Sequence, residues 1–187
     1  MLRISCLGAL IAALYGIVHD EVTYTISTEY FTVVKFRQFH YADLGFPVRV
    51  FVAEIGALAT WWVGFAGGWF MARTLTADRL ATSPLPWVLR GFAIMLGCAF
   101  VAGVIGYGYG SMGEITTANS DLAATAASIG VKDIPAFVRV AYIHNAGYLG
   151  GLMGLIVAIL ILRRKMRRAA AVENLRGLPS GAGRGKE

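Results

Sequence analysis

The chain has 187 residues, enough for one domain. Hydrophobic residues make up 57% and charged residues 15%, well below the roughly 25% charge of a water-soluble domain, so an ordinary soluble fold is excluded. The formal charge of +6 sits in short clusters beside apolar runs, as membrane flanks do, and this placement excludes a nucleic-acid partner.

The first apolar stretch, Ile4 to Val18, is short for a spanning helix of about 20 residues and must borrow Arg3 or His19 and beyond to cross. One Arg followed by an apolar core also resembles a signal peptide. The following Tyr15 to Glu21 offers no small-x-small cleavage site, so a retained helix is expected. Val22 to Ser27 then alternate apolar and polar, a strand-like pattern. Glu29 to Phe39 reads EYFTVVKFRQF, and Tyr30, Phe31, Val34, Phe36 and Phe39 do not sort onto one helical face. So aromatic a segment is expected in the membrane interface, or folded over the bundle as a lid.

The second apolar stretch runs from Val48 to Ala72 and the third from Trp87 to Tyr109, with Ser83, Pro84 and Pro86 where the third helix should begin. Asp121 to Ile129, closed by Gly130, predicts a short external helix. Asp133 is the expected N-cap of the fourth spanning helix, with Ile134 and Pro135 in its opening turn. That stretch, about Ala136 to Leu162, ends in Arg163, Arg164, Lys165, Arg167 and Arg168. The cluster reads as a stop-transfer anchor, or as a contact with anionic lipid head groups. Beyond it, an Ala-, Gly- and Arg-rich tail over 169–187 is expected to fray. The fold class is therefore all-α, a polytopic four-helix transmembrane bundle. It forms one domain over 1–168, with helices at about 3–19, 47–72, 86–109 and 134–163.

An N-terminus in the cytoplasm puts twelve basic and three acidic residues inside, against five basic and eight acidic outside. The positive-inside rule then places both termini in the cytoplasm. Small residues spaced by four mark faces where helices can approach: Gly8, Ala12 and Gly16; Gly64 and Gly68; Gly106 and Gly110; Gly147 with Gly151 and Gly150 with Gly154. Cys6 and Cys98 both fall inside apolar stretches and read as small buried residues, not as a disulfide.

Depth along the helices singles out a polar layer. His19 lies 16 residues beyond Arg3, Glu54 lies 19 before Arg73, and His144 lies 19 before Arg163. At about 1.5 Å per residue these positions are about 24–28 Å from the inner boundary, near the outer edge of a roughly 30 Å hydrocarbon core. On the third helix Tyr107 and Tyr109 reach the same level. Ionisable groups at such depth usually face a bundle interior or a wet cavity. His19, Glu54 and His144 are thus the candidate ligands of an outward-facing site. Asp20, Tyr24, Glu29, Lys35, Tyr107, Tyr109 and Asn145 are candidates for its surround or lid.

Two His and one Glu suit a metal ion such as zinc, iron or copper, two His alone could ligate a haem, and a His beside a carboxylate could run acid–base chemistry. No His-Glu-x-x-His or Cys-x-x-Cys spacing accompanies them, and polar residues wetted at the interface are the plainer alternative. Two other classes stay open: a non-catalytic subunit or assembly factor docked on a larger membrane complex, and an oligomeric transporter or channel.

The run His19-Asp20, Thr23-Tyr24, Ile26-Ser27, Glu29-Tyr30-Phe31, Lys35-Phe36 and Gln38-Phe39, with His144-Asn145 and Tyr148 to Gly151, resembles a family of small bacterial integral membrane proteins. The resemblance implies four spanning helices in the bacterial inner membrane and an important first external loop. It carries no activity with it.

Overall fold

The computed structural model describes residues 1–76, 85–112 and 121–177. Ser83 and Pro84 at the expected start of the third helix, and residues 178–187 of the tail, lie outside the described residues. The described chain is helical, with no strand. Its principal helices are α1 (Leu2–Ile26), α2 (Val48–Thr76), α3 (Leu85–Gly110), the short α4 (Asp121–Ser128) and α5 (Ile134–Gly177). All but α4 are long and apolar enough to cross a membrane. The chain is an integral membrane protein with an all-α, four-helix bundle fold.

Helix α1 absorbs the segment whose alternation reads as strand. The Thr23 hydroxyl donates to the His19 carbonyl at 2.9 Å and that of Thr25 donates to Val22 at 2.6 Å, so both are satisfied inside the helix. Val22 points away from the bundle while Thr23 is buried against it. An alternation this short therefore fits a helix face as well as a strand. The helix stops at Ser27, whose backbone is extended and whose N–H donates back to Thr23. The Ser27 hydroxyl then accepts the Tyr30 N–H at 3.3 Å and opens the next element.

That element is a π-helical turn, Tyr30–Lys35, continued by a short α turn, Phe36–Gln38, and a 3-10 turn, His40–Ala42. The i→i+5 pattern of a π-helix is wider than that of an α-helix. This is the physical reason that the aromatics of EYFTVVKFRQF do not line up at a 3.6-residue period. Tyr30, Val33 and Val34 pack on the Ala126, Val131 and Phe137 cluster, while Phe36 packs with Phe39 on Phe51 and Ile55. The segment is a lid that grips α4 and α5 with one side and α2 with the other.

The spanning helices pair as two antiparallel hairpins, α1 with α2 and α3 with α5. Added side chains would jam both seams. A methyl group at Gly16 would meet the Gly56 carbonyl, one at Gly106 would lie 2.5 Å from the Tyr142 carbonyl oxygen, and one at Gly154 would lie 2.8 Å from Met95 Cα. Gly147 and Gly151 are looser, with nearest neighbours at 3.8 and 3.7 Å. Both cysteines are free, and Cys6 lies on the exposed side of α1 instead of in the core.

Helix α4 ends in the paired hydrogen bonds of a Schellman turn, Val131 N–H to Ala126 and Gly130 N–H to Ala127, with Gly130 at a φ of +81° that favours glycine. Asp133 caps α5 by accepting the Ala136 N–H at 3.1 Å. Helix α5 continues past the basic cluster through Ala169, Ala170 and Ala171 to Gly177, a run whose alanines favour helix.

The hairpins meet differently at their two ends. At the basic end, Met71 and Leu75 of α2, Val88, Phe92 and Met95 of α3, and Ala158, Leu162 and Met166 of α5 form a continuous apolar core. At the other end the junction is polar.

Candidate functional site

The polar junction is centred on Asp20. The buried positions of α1 are Ser5, Gly8, Ala12, Gly16, Asp20 and Thr23, a single stripe that runs down the seam with α2. Asp20 is the fourth-residue continuation of Gly8, Ala12 and Gly16, so helical geometry turns it inward with them. His144 arrives from α5 and is almost fully buried. Its Nδ1–H donates to the Val140 carbonyl one turn earlier, at 3.0 Å. Its Nε2 faces Asp20 Oδ1 at 3.2 Å, and one proton shared between them makes this a hydrogen bond across the two hairpins. Lys35 comes from the lid, with its Nζ 3.6 Å from Asp20 Oδ2. Side-chain exposures of 4% for Asp20, 5% for Lys35 and 1% for His144 make this a charged cluster sealed from solvent.

His19 completes the group. It is half-buried, stacks on Tyr15 of its own helix at 5.7 Å, and meets His144 edge to face at 4.8 Å. The ligand atoms offered by His19, Asp20 and His144 all lie within 4.8 Å of one another, and they are the one such group among the described residues. Aromatic rings wall it: Tyr30 stacks on His144 at 4.9 Å, Phe31 lies at 6.3 Å and Tyr148 at 6.0 Å. Burial, reinforced by Tyr148 and Asp20 nearby, pushes the Tyr30 phenol well above its ordinary range.

The lid is latched by Glu29. Its carboxylate accepts the Lys132 N–H at 3.0 Å and the Asp133 N–H at 2.7 Å, at the entrance to α5. These two backbone donors hold its carboxyl below the usual glutamate range. On the opposite side Arg49 pairs with Glu21 at 2.8 Å and lays its guanidinium over Tyr24, 4.7 Å from the ring centre. Tyr24 also contacts Phe31 edge to face at 5.4 Å.

The remaining candidates lie elsewhere. Glu54 is half-buried on α2, its Oε2 makes no hydrogen bond, and it is outside the close group of ligand atoms. Tyr107 sits under the Arg139 guanidinium at 5.6 Å and Tyr109 against Tyr142 at 4.9 Å, both exposed on the α3–α5 hairpin. Asn145 is exposed on the face of α5 that turns away. Conversely, sequence reasoning set Asp20 at the edge of the site and did not single out Tyr30, Phe31 or Tyr148 for it. For Asp20 a signal was available, since it falls on the small-residue stripe.

No family model, curated protein or solved structure matches the chain.

Proposed function

We propose that this is an inner-membrane protein, with both termini cytoplasmic, whose outward-facing end carries a metal centre built from His19, Asp20 and His144. The observation that carries this reading is the mutual approach of the three ligand atoms within 4.8 Å. Two imidazoles and one carboxylate suit zinc(II) or iron(II), and copper(II) accepts the same nitrogen and oxygen donors. The surroundings support it. A metal-binding His usually donates its other ring N–H to a carbonyl or carboxylate, as His144 does to Val140. Lys35 engages the second oxygen of Asp20, leaving Oδ1 directed at His144. His19, Asp20 and His144 would hold the ion, with the proton between His144 and Asp20 given up to solvent, and the ion would supply Lewis acidity toward a small polar ligand beside the half-buried His19. Haem does not fit: the imidazoles touch edge to face at 4.8 Å, leaving no slot for a macrocycle between them.

The test is elemental analysis of the detergent-purified protein, before and after incubation with zinc, iron or copper. A single equivalent that is lost in His144→Ala and kept in Glu54→Ala supports the centre. Chain that takes up none of the three metals sinks it.

One observation favours a second reading. Asp20 is already matched by Lys35 and His144, so the cluster can serve as a polar staple between hairpins in a non-catalytic subunit of a larger complex or a homo-oligomer. Metal-free protein that co-purifies with a stoichiometric membrane partner would favour it. Transport through one chain has little support, because the apolar core from Met71 to Met166 closes the basic end.

A further inference from the structure

At the basic end, between α2 and α5, lies a cavity of about 700 Å³. Arg73 contributes to one wall, while Arg163 and Arg167, one helical turn apart, contribute to the other. Trp69, Phe70 and Ile159 continue the lining toward the membrane interior, and no acidic residue lines the cavity among the described residues. The Arg73 guanidinium rests 5.6 Å from the Trp69 ring centre, which holds it at the cavity wall. The cavity sits where the apolar spans of α2 and α5 end, Val48–Leu75 and Ile134–Arg168, hence at head-group depth.

Three arginines lining one opening are suited to a phosphodiester, since a guanidinium offers a planar fork of N–H donors to anionic oxygens. Aromatic and aliphatic groups immediately deeper suit acyl chains. Basic pockets between spanning helices bind anionic head groups in this manner. We propose that this cavity is a specific binding site for an anionic diacyl phospholipid of the leaflet at the basic end, with its phosphate at Arg73, Arg163 and Arg167 and an acyl chain along Trp69, Phe70 and Ile159. The site is independent of the His/Asp centre at the other end of the bundle.

The basic cluster provides its own control. Arg164 and Arg168 are exposed on the same turns of α5 but do not line the cavity. The experiment is native mass spectrometry of the full-length protein in detergent, titrated with phosphatidylglycerol, phosphatidylcholine or inorganic phosphate. Wild-type protein should retain phosphatidylglycerol in preference to phosphatidylcholine. Arg163→Gln with Arg167→Gln should weaken that binding roughly 25-fold, at about a factor of five per arginine. Arg164→Gln with Arg168→Gln should leave it within about twofold, because neither side chain lines the cavity and so neither forks onto the phosphate. Arg73→Gln, on the other helix, should weaken binding about fivefold and tests the same site without altering α5. Equal loss in the two double variants, or equal retention of both lipids by wild type, overturns the proposal. Displacement of the lipid by inorganic phosphate also overturns it, assigning the cavity to the phosphate group alone.

Discussion

Neutralising Asp20 would leave the Lys35 ammonium and His144 Nε2 buried without the carboxylate that both face. Losing one partner of a buried charged group costs about 3–5 kcal/mol, mostly as the penalty of the stranded charge. Asp20→Asn should therefore lower thermal stability in detergent sharply, and a melt within a degree or two of wild type would contradict the cluster geometry. Glu54→Gln, outside the cluster, strands no partner and removes the charge from a carboxylate whose Oε2 is buried without a hydrogen bond, so it should not lower the melt. The contrast between these two acids shows how far the sequence is legible at this scale. Depth along the chain brings Glu54 and His19 to the right level, but one residue turns a helix by about 100°, so level says nothing of azimuth. The stripe of Gly8, Ala12 and Gly16 supplies the azimuth for α1, and its next member is Asp20.

Among the elements, the lid and the seams make separate demands. The latch at Glu29 depends on charge: a carboxylate accepts the two N–H groups of Lys132 and Asp133, and its folded-state pKa is depressed by them. A depressed acid stabilises the fold fully above its unfolded pKa, about 4.3 for glutamate, and loses that contribution as pH falls through the folded value. Hydrogen exchange at Lys132 and Asp133 should thus quicken on acidification below about pH 4.3, and Glu29→Gln should already exchange faster at neutral pH with a weaker acid dependence. Exchange that is independent of pH in both proteins, after correction for intrinsic rates, would exclude the latch. The seams offer a comparison inside one helix. Gly150→Ala would press a methyl group 2.6 Å from the Cys98 carbonyl oxygen and should destabilise, by about 1–3 kcal/mol as overpacking does. Gly147→Ala, with its nearest neighbour at 3.8 Å, should be close to neutral. Equal effects in a detergent melt would contradict the close approach at Gly150. Spacing by four marks both glycines equally in the sequence, and only the crossing of α3 on α5 separates them.

For the whole molecule, the expected orientation rests on charge asymmetry and is open to direct test. In a cysteine-free background of intact cells, Asp43→Cys, in the exposed loop after the lid, should react with a membrane-impermeant maleimide. Arg168→Cys, at the basic end, should react only after permeabilisation. The reverse pattern would invert the molecule and place the His/Asp centre on the cytoplasmic side. The same assay reports on lid opening with Phe31→Cys in place of Asp43→Cys, since Phe31 is the lid's own fully buried side chain.

Hydropathy and charge are sums along the chain, so the number of spans, their helical state and the separation of basic from acidic ends were determined by the sequence alone. In lipid, a spanning segment must satisfy its own backbone hydrogen bonds, which leaves helices as the outcome for runs of this length. The π-helical lid and the Tyr30 ring over His144 depend on contacts more than a hundred residues apart in the chain, such as Glu29 with Asp133. The meeting of Asp20, Lys35 and His144 depends likewise on how one hairpin is rotated against the other, a relation no local pattern encodes. Tertiary structure decided these, because side-chain direction at a given depth is set by helix rotation and packing, not by position in the sequence.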